Sequence, residues 1–306
     1  MPLLPVAPPV AVPGGGGFDY VTVDAARRRV YAAHGGASSL LIVDADTGAV
    51  LKQVKVGPLA GVAVNAANGH VFTGDGDDKA VSEVDPVAGT EVNRVSVDGP
   101  VDAIAYDPSS GRIYADEDDG TRIFVIDAKT FKQIGVVALP GHKPEYLAID
   151  PATHQIYQNI ASDDEIAVVD PVALKVARTF PTPELTGNHP LQYDAASGTI
   201  LSGGTNGKIA AYTTAGTLRA AIAVPRMDQC DFDATRKLLA CAGGSKITVL
   251  RENADGTLAP VASADVAPGA HTLAIDGKTG HIWAVWGTRG APQGTGSFVQ
   301  EFALTP

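Results

Sequence analysis

Ionisable side chains recur at one position of a repeating pattern in this chain of 306 residues. The position lies five residues before an Asp or Asn that begins a short turn, and its seven occupants are Asp19, Ala60, Asp102, Glu145, His189, Asp228 and His271. Carboxylates and imidazoles together suit Zn²⁺, Mn²⁺, Ca²⁺ or non-haem iron. His189, His271 and Asp228 are the predicted ligands of a divalent metal ion, because neutral imidazole binds a transition metal without adding negative charge.

The position ten residues after the same Asp or Asn has an ionisable side chain in three of the seven repeats. Its seven members are His34, Asp75, Glu117, Ile160, Gly204, Gly243 and Trp286. A regular hairpin would place this position opposite the first one, so Asp19 should face His34 and Asp102 should face Glu117. Opposed carboxylates repel unless a cation or a shared proton lies between them. We therefore predict that Asp19, His34, Asp75 and Glu117 contact a bound ligand.

The same positions allow a catalytic interpretation. A metal ion could polarise a carbonyl and activate water, with Glu145, Asp102 or Asp228 as the general base. Arg289, in the long loop 287–296, would hold an anionic group of the substrate. The sequence has no Ser-His-Asp signature, no phosphate-binding glycine loop and no CxxCH haem motif. The simplest alternative is a polar rim that has reached water and binds no particular ligand.

Two smaller features carry predictions of their own. The acidic run Asp116–Asp119 lacks the glycine and the ligand spacing of a calcium loop, which favours a solvated acidic turn. Cys230 and Cys241 should lie directly opposite each other in one hairpin, within bonding reach. A disulfide there would indicate an oxidising compartment, and a pair of small buried thiols is the alternative.

Seven copies of a two-stranded hairpin must position these side chains. The residues that begin their turns are Asp24, Asn65, Asp107, Asp150, Asp194, Asp233 and Asp276, separated by 39 to 44 residues. An Asp or Asn side chain suits a turn because it can bond a backbone N–H two residues on. The turns also contain glycines where a positive φ would be needed, namely Gly69, Gly111, Gly198 and Gly280.

Two more strands follow each hairpin, such as 40–44 and 50–56 after the first. Four strands in a period of about 42 residues are typical of β-propeller blades, and no window shows helical periodicity. The last repeat ends after its third strand, Phe298–Phe302, whereas Leu3–Val12 resembles a fourth strand. The sequence therefore predicts an all-β, seven-bladed β-propeller over residues 1–306, with four antiparallel strands per blade and its N-terminal strand completing the last blade.

The second strands of the repeats carry a family resemblance. RIYADEDD, VYAAHGG, IYQNIAS and VFTGDGD, followed by strands such as SLLIVDADTG, resemble the YVTN family of β-propeller repeats. The resemblance covers essentially the whole chain and implies a seven-bladed propeller that is secreted, periplasmic or held at the cell surface. Similar propellers occur in bacterial lactonases and in cofactor-bearing redox enzymes. No motif of those activities matches here, so the resemblance assigns no catalytic residue.

The net charge of the chain limits the classes of molecule that it is expected to bind. With 23 Lys and Arg against 34 Asp and Glu, the formal net charge is −11. That field repels nucleic acid and favours a cationic partner or a metal ion. No run of 18 apolar residues is present, so no membrane span is predicted. The chain begins directly at the closure strand, which favours export with a removed signal, to the periplasm or outside the cell, over a cytoplasmic location.

These observations predict an exported, monomeric propeller. It would act as a binding module that takes a metal ion, a small molecule or a protein partner at one mouth of the central channel. The alternative is a metal-assisted hydrolase or lactonase that uses the same residues. A third interpretation, a structural repeat domain of a larger assembly, is weakened because the repeats close on themselves.

Overall fold

The computed structural model describes residues 1–287 and 296–305, whose strands form seven antiparallel sheets. Blades 1 to 3 are β3–β6 (Val21–Asp24, Arg29–His34, Ser39–Asp44, Val50–Lys55), β7–β10 (Leu59–Val64, Val71–Asp75, Ala80–Asp85, Thr90–Ser96) and β11–β14 (Val101–Asp107, Arg112–Glu117, Arg122–Asp127, Lys132–Ala138). Blades 4 and 5 are β15–β18 (Pro144–Ile149, Ile156–Ile160, Glu165–Asp170, Lys175–Pro181) and β19–β22 (Asn188–Asp194, Thr199–Gly204, Lys208–Thr213, Leu218–Ala223). Blade 6 is β23–β26 (Gln229–Asp233, Leu238–Gly243, Lys246–Glu252, Leu258–Asp265).

Blade 7 is built from both ends of the chain. Its first three strands are β27 (Thr272–Ile275), β28 (Ile282–Trp286) and β29 (Ser297–Leu304), and β1 (Leu3–Pro5) and β2 (Val10–Val12) both pair with β29. The predicted seven-bladed propeller with N-terminal closure is therefore confirmed. The predicted single strand Leu3–Val12 is divided in two, because Pro8 and Pro9 lack the N–H groups that a continuous ladder requires.

The first strands of successive blades pack against one another around the central channel. The second and third strands are almost completely buried between neighbouring blades, whereas the fourth strands lie at the outer edge and are half exposed. Across the described residues the one helix is the 3₁₀ turn Gly35–Ala37, so no helix there is long enough to cross a bilayer.

The turns at one end of the blades follow the predicted Asp or Asn. We call this end the turn end and the opposite end the mouth. In six blades the side chain of that residue accepts a backbone N–H two residues on, as Asp107 does from Ser109 at 3.0 Å. In blade 1 the donor lies three residues on.

Four residues after the Asp or Asn, every blade has a left-handed residue. Four are the glycines predicted to have positive φ, and the other three are Arg28, His154 and Lys237, with φ of 56°, 62° and 56°. Each of these three reaches back to the turn Asp of the preceding blade. Arg28 Nη1 lies 2.6 Å from Asp276, His154 Nδ1 lies 3.0 Å from Asp107 and Lys237 Nζ lies 2.5 Å from Asp194.

At two of the four junctions where the second blade has a glycine as its left-handed residue, the basic side chain comes from the first blade instead. Arg27 and Arg236, three residues after their own turn Asp, bond that Asp and two backbone carbonyls in the next blade's turn. Each lies over a glycine, Gly69 or Gly280, where a Cβ would approach the guanidinium to within 3 Å. At five of the seven blade junctions, counted over the residues described, a basic residue three or four positions after a turn Asp therefore links the hairpin turns of neighbouring blades.

Cys230 and Cys241 are directly paired across the inner hairpin of blade 6, as predicted. They form a disulfide with a Cα–Cα distance of 4.0 Å, and each residue is buried. The structure thus favours the disulfide over the pair of free thiols.

Candidate functional site

A β-bulge near the mouth changes the register that a regular hairpin would have. In blade 3, Ile104 is opposite Ala115, but the next pair toward the mouth is Val101 with Glu117. The same slip occurs in blades 2 and 5, and in blade 1 the Asp19 amide bonds the carbonyl of Ala33. The expectation that Asp102 faces Glu117 and Asp19 faces His34 is therefore wrong. One extra residue in the first strand turns the position five residues before the Asp toward the channel.

The three predicted ligand contacts on the second strands lie away from the channel. His34 is fully buried and stacks on Phe18, with ring centroids 4.1 Å apart. Asp75 is paired with Arg94 at 2.6 Å and Glu117 with Arg122 at 2.9 Å. The structure does not bring His34, Asp75 and Glu117 to the residues that face the channel, since each is held by its own blade.

The residues five positions before the turn Asp do come together. One cavity of about 350 Å³ at the mouth is lined by the occupants of this position from blades 1 to 6: Asp19, Ala60, Asp102, Glu145, His189 and Asp228. His271, from blade 7, is adjacent, with Nε2 3.8 Å from Asp228 Oδ2 and Nδ1 2.8 Å from the Gly269 carbonyl oxygen. We call this cavity the mouth cavity.

Two tyrosine side chains from different blades pack against each other beside the mouth cavity. Tyr20 lines the mouth cavity, donates a hydrogen bond of 3.2 Å to Asp102 and packs against Tyr146, with ring centroids 5.5 Å apart. Gln192 in turn donates to the Tyr146 hydroxyl at 2.9 Å. Tyr146 has a φ of 60°, which is unusual for a bulky residue, and it occupies the bulge of blade 4. Side chains from blades 1, 3, 4 and 5 thus meet across the channel.

Sequence reasoning missed Asp116. The run Asp116–Asp119 is not a uniformly solvated turn, because Asp116 is fully buried on β12 while Asp118 and Asp119 line the mouth cavity. Asp116 accepts the Ala103 amide at 2.7 Å and the Gln158 side-chain amide at 3.0 Å. Its place in the repeat is the signal that could have identified it: the other blades have Ala33, Gly74, Asn159, Gly203, Ala242 and Val285 there, so a carboxylate is exceptional.

Burial makes the ionised form of these carboxyl groups unfavourable. Burial, reinforced by Asp116, raises the pKa of Glu145 to about 8, and burial also raises the pKa of Asp116 to about 8. The pKa of Asp102 is raised well above its usual range by burial and by Asp19. Among the described residues, Lys143 is the one lysine or arginine that lines the cavity; it is half exposed, with Nζ 3.9 Å from Glu145 and 3.8 Å from Asp119.

The predicted metal ligands lie close together without forming a coordination set. His189 Nε2 lies 3.2 Å from Glu145 and 3.4 Å from Asp228, and burial lowers the pKa of the imidazole. Within the described part of the chain, no three His, Cys, Asp or Glu side chains are placed so that they could hold one metal ion. The geometry therefore does not fit a preformed site made of His189, Asp228 and His271. Arg289, the predicted anion contact, lies outside the described residues.

Comparisons with known proteins bear on the fold. In sequence the chain matches no protein-family model and no curated protein. In structure it is similar to hydrazine synthase of Kuenenia stuttgartiensis (TM-score 0.77, 15% identity, covering 90% of this chain and 93% of that one). It is also similar to a chain of the mitotic checkpoint complex (TM-score 0.80, 13% identity, 97% and 91%). The β-propeller domain of Cps50 (Swd1) from Myceliophteria thermophila gives a TM-score of 0.79 at 11% identity, covering 99% and 100%.

At such low identity the similarity shows the fold alone, and membership of the YVTN family stays a prediction. The chain is a seven-bladed β-propeller.

Proposed function

We propose that this protein is a binding module that takes a positively charged ligand into the mouth cavity. The observation that carries the proposal is the convergence of Asp19, Asp102, Glu145 and Asp228, from four different blades, on one cavity of about 350 Å³. Of the lysines and arginines that the structure describes, Lys143 alone lines the same cavity, and more than half of its side chain is exposed.

The energetics of the cavity favour a cationic occupant. Burying carboxyl groups close together disfavours their ionised forms, and a nearby positive charge favours them again. A cation that enters the mouth cavity would therefore favour ionisation of Glu145 and Asp102, whose ionised forms burial disfavours in the ligand-free protein. Groups with strongly shifted pKa values in a cleft are a common property of binding and catalytic sites.

The shape favours a small organic cation over a tightly coordinated metal ion. The cavity volume is at the lower end of the range of about 300–1,000 Å³ that is typical of small-molecule sites. Tyr20 supplies an aromatic ring at its wall, a group that attracts ammonium ions. A divalent metal, the other predicted ligand, would require His189, Asp228 and His271 to move closer together.

Isothermal titration calorimetry with matched probes tests the proposal. Butylamine, spermidine and butan-1-ol distinguish charge from apolar contact, and Ca²⁺, Mn²⁺ and Zn²⁺ added to chelator-treated protein test the metal alternative. We expect the amines to bind and butan-1-ol not to bind. Glu145→Gln and Asp102→Asn should weaken amine binding about tenfold each, since each removes a charged partner.

Asp98→Asn is the matched control, because Asp98 is almost fully exposed and pairs with Arg122. It likewise replaces one carboxyl group by an amide and should leave the affinity unaltered. If no amine and no metal ion binds, or if Asp98→Asn weakens binding as much as Glu145→Gln, the proposed function is wrong.

A second candidate function rests on a separate observation. Glu145, with its pKa raised to about 8, lies 3.2 Å from the His189 imidazole, and such a pair can exchange a proton with a substrate near neutral pH. Glu145, Asp102 and Asp228 remain the predicted acid–base residues of a hydrolase or lactonase. Turnover of a lactone and ester panel, with and without chelator, that is lost in Glu145→Gln would favour this candidate over simple binding.

Export to an oxidising compartment and a monomeric state belong to the same proposal. The Cys230–Cys241 disulfide supports export, because disulfides persist mainly outside the reducing cytosol. Cell fractionation followed by thiol alkylation of the native protein tests both compartment and disulfide. Light scattering of the purified protein tests the monomer. Recovery of reduced protein from the cytosol would overturn the export proposal.

A further inference from the structure

A groove larger than the mouth cavity lies at the turn end, between blades 1 and 2. We propose that this groove binds an organic carboxylate with an apolar body. Its volume is about 610 Å³, against about 350 Å³ for the mouth cavity. It opens between the turn of blade 2, at Gly69 and His70, and the outer strand β6 of blade 1.

The charge in this groove is opposite to that of the whole protein. Arg27, Arg29 and Lys52 line it, with Asp85 as the one acidic lining residue in the described part of the chain, although acids outnumber bases 34 to 23 in the whole sequence. Arg27 and Arg29 are paired with Asp24 and Asp44. Lys52 differs, because its Nζ donates to the Val87 carbonyl at 2.9 Å and no carboxylate lies within ion-pair distance in the described chain. An anion is thus the ligand whose charge Lys52 would complement.

A tyrosine hydroxyl also points to a ligand. Tyr31 is 1% exposed and lines the groove, and among the described residues its hydroxyl makes no hydrogen bond. Tyr157, at the equivalent position of blade 4, packs instead on Tyr193 of the next blade, with ring centroids 5.1 Å apart. Blade 2 has Val64 where blade 5 has Tyr193, so the space beside the Tyr31 hydroxyl is left open to the groove.

The remaining wall is apolar. Leu51 and Val87 are 46% and 86% exposed, which is high for large hydrophobic residues, and the buried Ile42 also lines the groove. A carboxylate held between Lys52 and the Tyr31 hydroxyl would leave its apolar body against this wall. Both a charge-assisted hydrogen bond and removal of apolar surface from water would then favour binding.

A related groove within the same molecule supports the assignment by contrast. Between blades 6 and 7 a groove of about 460 Å³ is lined by Arg236 and His281, which correspond to Arg27 and His70. Blade 6, however, has Ala240 where blade 1 has Tyr31, and Ala262 where blade 1 has Lys52. The groove between blades 1 and 2 therefore combines a lysine and a tyrosine that its counterpart lacks.

Calorimetry on the full chain with 4-phenylbutyrate, octanoate and the neutral 4-phenylbutan-1-ol tests the proposal. Both carboxylates should bind, and the alcohol should bind at least about tenfold more weakly. Lys52→Met keeps the apolar stem of the lysine and should weaken carboxylate binding about tenfold, whereas Tyr31→Phe should weaken it about threefold. Amide chemical-shift changes at Leu51 and Val87 should locate the ligand in the groove.

The controls come from blade 4. Arg178→Met and Tyr157→Phe change the equivalent positions and should leave the affinity unaltered, as should Glu145→Gln in the mouth cavity. A negative result for carboxylate binding in the groove would therefore leave the proposed cation binding in the mouth cavity unaffected, and the reverse also holds. The proposal is overturned if the alcohol binds as tightly as the carboxylates, if neither carboxylate binds, if Lys52→Met with an unchanged melting temperature binds normally, or if the shift changes lie elsewhere.

Discussion

The turn end and the mouth of this propeller both bury carboxyl groups, with opposite consequences. At the turn end, hydrogen bonds from the Lys278 amide and from Arg28 outweigh burial and hold the pKa of Asp276 below its usual value. The pKa of Asp194 is likewise lowered despite burial, by Lys237 and Ser197. At the mouth, burial of Glu145 is not outweighed, and its pKa rises to about 8.

The difference lies in what the neighbouring blade supplies. At the turn end a basic side chain of one blade reaches the turn Asp of another, so the carboxylate is compensated within the fold. At the mouth the next blade places the His189 imidazole 3.2 Å from Glu145, but burial lowers the pKa of that imidazole and so disfavours its charged form. Among the described residues, Lys143 is the one lysine or arginine that lines the cavity, and it is half exposed. Ion pairs between blades thus stabilise the turn end, whereas the mouth has carboxyl groups whose ionised forms a cationic ligand could stabilise.

The two ends should respond to pH with opposite sign. Asp276 and Asp194 have lowered pKa values, so their stabilisation is present above their ordinary pKa and is lost as the pH falls. Glu145 has a raised pKa, so its contribution is present below its ordinary value of 4.5 and is lost as the pH rises through about 8. At neutral and higher pH the mouth therefore opposes folding of the ligand-free protein.

The largest effect is expected for Arg28→Gly at the turn end. Glycine occupies this left-handed position in four other blades, so the substitution removes the ion pair without adding backbone strain. The free energy of unfolding in urea should fall by about 3 kcal/mol, because the buried Asp276 loses its partner. Asp46→Ala removes the exposed ion pair that Arg28 also makes and should cost well under about 1 kcal/mol. Equal losses in the two variants would show that the junction does not depend on Asp276.

Glu145→Gln should have the opposite effect on stability. The neutral isostere removes a carboxyl group whose ionised form the folded state disfavours. The variant should be more stable than the wild type by about 2 kcal/mol at pH 9 and indistinguishable from it at pH 5. Urea unfolding at the two pH values measures this difference. A variant that is less stable at pH 9 would mean that the mouth carboxylates are already compensated.

A new link at the turn end gives a smaller, stabilising effect. The junction between blades 4 and 5 has Gly198, with φ of 61° and open space where a Cβ would stand, at the position that Lys237 occupies in blade 6. Gly198→Lys should reach Asp150 and be about 1 kcal/mol more stable than Gly198→Ala, which carries the same left-handed strain. Thermal unfolding compares the two variants. Identical melting temperatures would contradict the role assigned to the turn-end ion pairs.

The smallest effect is expected for Lys143, the lysine that lines the mouth cavity. Lys143→Met removes a positive charge next to Glu145, so a cationic probe such as spermidine should bind about threefold more tightly. Lys246→Met removes the same charge from a lysine that pairs with Asp265 and should leave the affinity unchanged. Weaker binding in Lys143→Met would mean that Lys143 contacts the ligand directly rather than competing with it.

Local sequence determined the repeated parts of this protein. The Asp or Asn that begins each turn acts within five residues of chain, as does the glycine that follows it in four turns. The hairpins, their number and four of the seven left-handed positions could therefore be predicted from sequence, whereas Arg28, His154 and Lys237 carried no local signal of a positive φ. The closure of blade 7 followed from counting strands. The acidic character of the position that contains Asp102 and Glu145 was also visible, because it depends only on alignment of the repeats.

Only the tertiary structure decided which side chains meet. The bulge in the first strand of blade 3 moved Asp102 away from Glu117. The burial of Asp116 and the pairing of Arg28 with Asp276, 248 residues apart, depend on neighbouring blades rather than on neighbouring residues. A carboxyl side chain has the same chemistry at either end of a blade. The partner that compensates its charge comes from a neighbouring blade, and the local sequence does not specify which residue of that blade it will be.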